Sequence, residues 1–141
     1  MSPINLTYDV LADNFSRAGE ASGAVKSVLK QLGIAPDVVR RVAIAMYEGE
    51  INMVIHAHGG KIAVDVLPDV IEITLADVGP GIPDIALAMT EGYSTASAQV
   101  RDLGFGAGMG LPNMKKYADY LDVQSELGVG TTVKMRIHVS G

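Results

Sequence analysis

The chain opens on alternation. Leu6, Tyr8 and Val10 fall on one side and Asn5, Thr7 and Asp9 on the other, which predicts a β-strand over residues 4–12. The period then lengthens: Ala18, Ala21, Val25, Val28, Leu29 and Leu32 recur at helical spacing, so a helix is expected over residues 15–32, capped by Asn14 and stopped by Gly33. Pro36 opens a second, longer helix at the position where its missing N–H costs nothing, and the pattern runs to about His56 before His58-Gly59-Gly60 ends it. Residues 61–67 and 70–76 read as two strands of a hairpin turned by Pro68-Asp69. Past Asp77 the periodicity stops, apart from a short helical piece expected near residues 84–89. It resumes as a helix over 109–117 and two strands, 120–126 and 131–139, around Gly128-Val129-Gly130.

The order strand, helix, helix, strand, strand, irregular segment, helix, strand, strand predicts an α+β fold. The expected form is a two-layer α/β sandwich whose mixed, mostly antiparallel sheet is covered on one face by helices. At 141 residues and 48% hydrophobic content the chain can bury one core, so residues 1–141 are expected to form a single domain. The long irregular stretch inside it has the character of a lid or an insert. No run of apolar residues approaches the ~20 needed to span a bilayer, and the start lacks a targeting pattern, so a cytosolic protein without a membrane partner is expected. The absence of cysteine fits that compartment and excludes disulfides, thiolate metal sites and a Cys nucleophile. A net charge of −5, with 11 scattered basic residues against 16 acidic ones, argues against nucleic acid as a partner.

Three constellations carry candidate chemistry. Glu48 and Asn52 lie four apart on the second helix and so project from one face, flanked by Ile44, Ile51 and Ile55. A carboxylate and an amide within an apolar stripe need partners. The amide oxygen suits Mg²⁺ and the carboxylate suits proton abstraction, although the pair also reads as two solvated helix residues. Glu50, two residues from Asn52, points to another side of the helix, and Gly49 in mid-helix suggests close packing there. The second is Asp77-Val78-Gly79-Pro80-Gly81: an acid closing a buried strand, then two glycines that let a ligand near the backbone, or else an ordinary turn. The third is the run of glycines at 104, 106, 108 and 110 ahead of a helix, which can gather N–H groups around a phosphate or serve as a hinge. Its spacing fits neither a Walker A loop nor a dinucleotide fingerprint. His56-Ala57-His58 at a helix end does not make a metal site.

In this order, Glu48-x-x-x-Asn52, Asp77-x-Gly79-x-Gly81 and the run from Gly104 to Gly110 resemble the N, G1 and G2 boxes of the gyrase, chaperone, histidine-kinase and MutL (GHKL) ATP-binding superfamily. Gly128-Val129-Gly130-Thr131 is similar to its last Gly-Thr element. Within it, DVGPGIPDIALAMTEGYSTA and LGFGAGMGLPNMKK look most like the bacterial anti-sigma and stress-switch serine kinases, closest to the RsbT type and also like RsbW and SpoIIAB. The resemblance implies a Bergerat ATP-binding fold holding ATP and Mg²⁺ under a lid at residues 82–108. It implies Asn52 as Mg²⁺ ligand, Asp77 on the adenine amino group, and Gly79 and Gly81 lining the base. Gly106, Gly108 and Gly110 would meet the phosphates, Ile82, Gly104, Met109 and Leu111 would belong to the same ATP site, Thr131 would support the adenine through water, and Glu48 would act as general base. Arg101 in the lid is the candidate cation, or else a solvated loop residue.

The function implied by the resemblance is that of a regulatory serine/threonine kinase that passes the γ-phosphate of ATP to a partner protein in a bacterial partner switch. The partner would be a STAS-domain antagonist, a sigma factor or a phosphatase effector, and the resemblance leaves room for a homodimer. The alternative is a binding module that sequesters a sigma factor or other effector according to nucleotide occupancy, without catalysis. A third is a catalytic domain that phosphorylates histidine on another chain.

Overall fold

The structure, a computed structural model, describes residues 4–11, 19–56, 59–79 and 110–139. Among these, strand β1 (Ile4–Leu11) is followed by helices α1 (Glu20–Gln31) and α2 (Pro36–His56), then by the hairpin β2 (Gly59–Val66) and β3 (Val70–Asp77). Helix α3 (Gly110–Tyr117) and the strands β4 (Tyr120–Glu126) and β5 (Gly130–His138) complete the order. The expected lid, and with it the helical piece near residues 84–89, lies outside the described residues.

The sheet runs β1-β2-β3-β5-β4 with every pairing antiparallel, so the expected mixed character is absent among the described strands. Local hairpins join β2 to β3 and β4 to β5, which makes those pairs antiparallel by construction. Alternation assigns the two faces. Ile62, Val64 and Val66 of β2, Ile71, Ile73 and Leu75 of β3, and Val133, Met135 and Ile137 of β5 turn inward and are buried. They form one cluster with Val25 and Leu29 of α1, Val42, Ala45, Met46, Met53 and Val54 of α2, and Met114 of α3. On β1, Leu6, Tyr8 and Val10 face this core while Asn5, Thr7 and Asp9 are exposed. Helix α2 packs against α1 and against α3, and it touches four of the strands, so it is the central rod of the helical layer.

Two helix ends follow local chemistry and a third does not. Pro36 is the first residue of α2, as expected. Gly33, with φ 76°, closes α1: its N–H bonds the Lys30 carbonyl, and the Ile34 N–H reaches back to Leu29. These paired bonds use up carbonyls that the helix leaves open. The start of α1 departs from expectation. The helix begins at Glu20, five residues later than its spacing suggests, because Gly19 adopts a left-handed φ of 92° and breaks the helical path. Asn14, the expected cap, lies outside the described residues. Gly19 has no side chain to cap with, and the capping acceptor comes from another helix.

Candidate functional site

At the end of β3, Asp77 sits between two glycines. In the sheet register it faces Gly60 of β2, and Gly130 opens β5 on its other side. A methyl group on Gly130 would collide with the Asp77 carbonyl oxygen. One on Gly60 would collide with the Ala76 carbonyl oxygen and stand 2.7 Å from the Asp77 Cα. Both neighbours must therefore be glycine for the strand end to be flanked this closely. The segment after it is tied on both sides: the Val78 N–H bonds the Gly59 carbonyl, and the Gly79 N–H bonds the Val129 carbonyl, each at 3.1 Å.

The Asp77 carboxylate is half-buried, and its Oδ1 accepts the Thr131 N–H at 2.8 Å. Burial pushes its carboxyl above the usual carboxylate range, and the Thr131 N–H pulls it partly back. Thr131 is itself buried, and its hydroxyl shares a 2.9 Å hydrogen bond with the Ser125 hydroxyl of β4. Asp77 thus has one oxygen fixed by the fold and no other partner among the described residues, which suits it to accept a hydrogen bond from an amine on a ligand.

Helix α2 crosses this strand end. A Cβ on Gly49 would stand 2.5 Å from Leu75 Cδ2, so the bare glycine is what lets α2 settle against β3 two residues before Asp77. One turn on, Met53 Cε lies within 2.8 Å of where a Gly60 Cβ would be. The two carboxylates around Gly49 then diverge. Glu50, 3% exposed, turns toward α1 and accepts the N–H groups of Gly19, Ala21 and Ser22 at 3.1, 3.2 and 3.1 Å, with the Ser22 hydroxyl at 2.7 Å. It is the missing cap of α1, supplied from 31 residues along the chain.

Glu48 turns the other way, toward α3. It is half-buried, and among the described residues its one hydrogen bond comes from Asn113 Nδ2 at 3.3 Å. Burial raises its carboxyl above the ordinary glutamate range, and the Asn113 amide offsets this in part. Asn52, one turn along the same face, is half-buried, and no described residue bonds its side chain. Its amide oxygen can serve a hard cation that takes its remaining ligands from phosphates and water. No group of three or more His, Cys, Asp or Glu able to hold a metal occurs among the described residues, so an ion here would rely on such outside ligands.

Of the residues singled out by the sequence, Glu48, Asn52, Asp77 and Thr131 lie on the elements that meet at this end of the sheet, and Gly79 follows β3 by two residues. Gly110 begins α3, with Leu111 next in the helix. Gly81, Ile82, Arg101, Gly104, Gly106, Gly108 and Met109 lie outside the described residues. Two residues escaped the sequence reading: Asn113 reaches Glu48, and Ser125 supports Thr131. Gly60 and Gly130, expected only at a helix end and in a turn and Gly-Thr element, also let the neighbouring strands close on Asp77. The signal for Asn113 was available: a lone amide in the first turn of a helix that directly follows the glycine run.

Comparison with known proteins bears on this arrangement. Residues 11–141 match the family described as histidine kinase-, DNA gyrase B- and HSP90-like ATPase. The serine/threonine-protein kinase RsbT of Bacillus subtilis is 32% identical over 113 residues, covering 77% of this chain and 79% of its own length. The anti-sigma F factor of Caldanaerobacter subterraneus is 31% identical over 124 residues, covering 84% and 83%. The crystal structure of the RsbU and RsbW domains of a Mycobacterium tuberculosis protein superposes with a TM-score of 0.60 at 15% identity. It covers 97% of this chain, which spans 32% of that longer one.

Proposed function

The chain belongs to the histidine kinase-, DNA gyrase B- and HSP90-like ATPase family, and from that premise we propose that it is an ATP-dependent serine/threonine protein kinase of a bacterial partner switch. The observation that carries the reading is the divergence at Gly49. Glu50 is absorbed into the fold, which leaves Glu48 as a half-buried carboxylate with one weak donor among the described residues, one helical turn from Asn52, whose side chain no described residue bonds. A carboxylate raised by burial holds a proton more readily than an exposed one, which is what a general base requires.

In this reading Asp77 accepts the amine of the adenine through the oxygen that Thr131 does not use, and Gly60 and Gly130 let the neighbouring strands close tightly on that strand end. Asn52 holds Mg²⁺ by its amide oxygen, and the glycine run ending at Gly110 offers N–H groups to the phosphates. The single domain over residues 1–141 closes on the nucleotide through a lid at 82–108. Bound MgATP supplies the phosphoryl group and screens its charge, and positioning contributes most of the rate. Glu48 takes the proton of the acceptor hydroxyl at a carboxylate oxygen. The acceptor is a Ser or Thr of a protein partner, of which a STAS-domain antagonist is the first candidate.

Labelled ATP incubated with the purified chain and candidate antagonists provides the test. Transfer that disappears in Glu48→Gln, with MgATP still bound in calorimetry, is the expected result. No uptake of adenine nucleotide with Mg²⁺ present would overturn the reading. The relatives named anti-sigma F factors favour a second reading, in which nucleotide binding sets the affinity for a sigma factor without transfer. Binding with no transfer to any candidate selects it.

A further inference from the structure

We propose that Asn113 is a positioning residue for Glu48, so that helix α3 orients the proton acceptor. The inference rests on the kinase reading above. Asn113 is the fourth residue of α3, three positions after Gly110, and it donates from Nδ2 to Glu48 Oε1 across 65 residues of chain. Both side chains are half-buried between two helices that pack directly on each other, with the fully buried Met114 anchoring α3 beside it. A carboxylate with one oxygen held by an amide has a defined plane, and its second oxygen is left for the incoming proton.

The chemistry of the donor matters. A carboxamide orients the carboxylate without bringing a positive charge, whereas Lys or Arg at the same place would stabilise the anion and weaken the base. No described cation pairs with Glu48. Of the other titratable groups near it, Tyr47 is its helix neighbour, and Glu50 is turned to the opposite flank and bonded to α1.

The test uses the full chain with carbon-13-labelled glutamate, following the Glu48 carboxyl through its titration in wild type, Asn113→Leu, Asn113→Asp and Asn113→Gln. Loss of the donor moves the midpoint up in the Leu variant, the added negative charge moves it further in the Asp variant, and Gln brings it back toward wild type. Phosphate release from MgATP is read alongside. It is expected to fall about three- to tenfold below the Glu48 midpoint in the Leu variant, with its acid limb displaced in the same direction and nucleotide affinity within about twofold. If the Leu variant does not fold, the isosteric Asp variant reads the same contact. A midpoint that stays put in every variant that folds overturns the inference, whatever the turnover. A midpoint that moves while the wild type transfers no phosphoryl group to water or protein leaves the contact standing and removes the kinase reading.

Discussion

The two flanks of helix α2 treat a glutamate in opposite ways. On the α1 flank, Glu50 is buried and accepts four hydrogen bonds, three from backbone N–H groups at the start of a neighbouring helix. On the α3 flank, Glu48 is half-buried and, among the described residues, receives a single 3.3 Å bond from a neutral amide. The same side chain, two positions apart, is structural where its desolvation is offset by donors and chemically poised where it is not. Gly49 between them faces the sheet, and its lack of a side chain brings α2 down onto Leu75.

Deleting each carboxylate should break this contrast in unequal steps. Glu50→Ala strips the cap from α1 and leaves buried donors unpaired, so a loss of about 3–5 kcal/mol is expected in urea denaturation. Equal stability in this variant and in Glu48→Ala would show that the two flanks do not differ. Gly49→Ala sets a helix-propensity gain of about 1 kcal/mol against an overpacking cost of about 1–3 kcal/mol from the clash with Leu75. A net loss near 1 kcal/mol is expected, and Leu75→Val in the same chain should recover it, as a double-mutant cycle will read.

Glu48→Gln gives the smallest effect and the opposite sign. The folded Glu48 carboxyl titrates above its unfolded value, so the stability it contributes is complete below the unfolded value and is lost as pH rises through the folded one. The Gln variant escapes that loss. It should therefore melt higher than wild type near neutrality, by about a few tenths of a kcal/mol at this half-exposed position, and the gain should shrink as pH falls through the glutamate range. A gain that grows on acidification would mean that Glu48 is stabilised as an anion, as a capping carboxylate is.

How much of this was legible depended on the range of the interaction. The hairpin at Pro68-Asp69, the Gly33 stop and the Pro36 start depend on residues within a turn of each other, and the structure has them where periodicity put them. The late start of α1 was not legible, because the group that caps it sits on another helix and the nearer Asn14 offered a local answer. Asn113 is legible only in part for a related reason: its place after the glycine run marks it as an amide near the site, but its partner is 65 residues away and nothing in LPNMKK names it.

By itself the sequence determined the faces of the strands, the extent of α2 and the order of the motifs, since these are set by period and by the φ preferences of Gly and Pro. It also placed Glu48 and Glu50 on different sides of their helix. Only the tertiary structure decided which carboxylate meets a helix full of open N–H groups and which meets one amide. That outcome depends on what each flank packs against, and two residues of the same type and length carry no local signal to distinguish them.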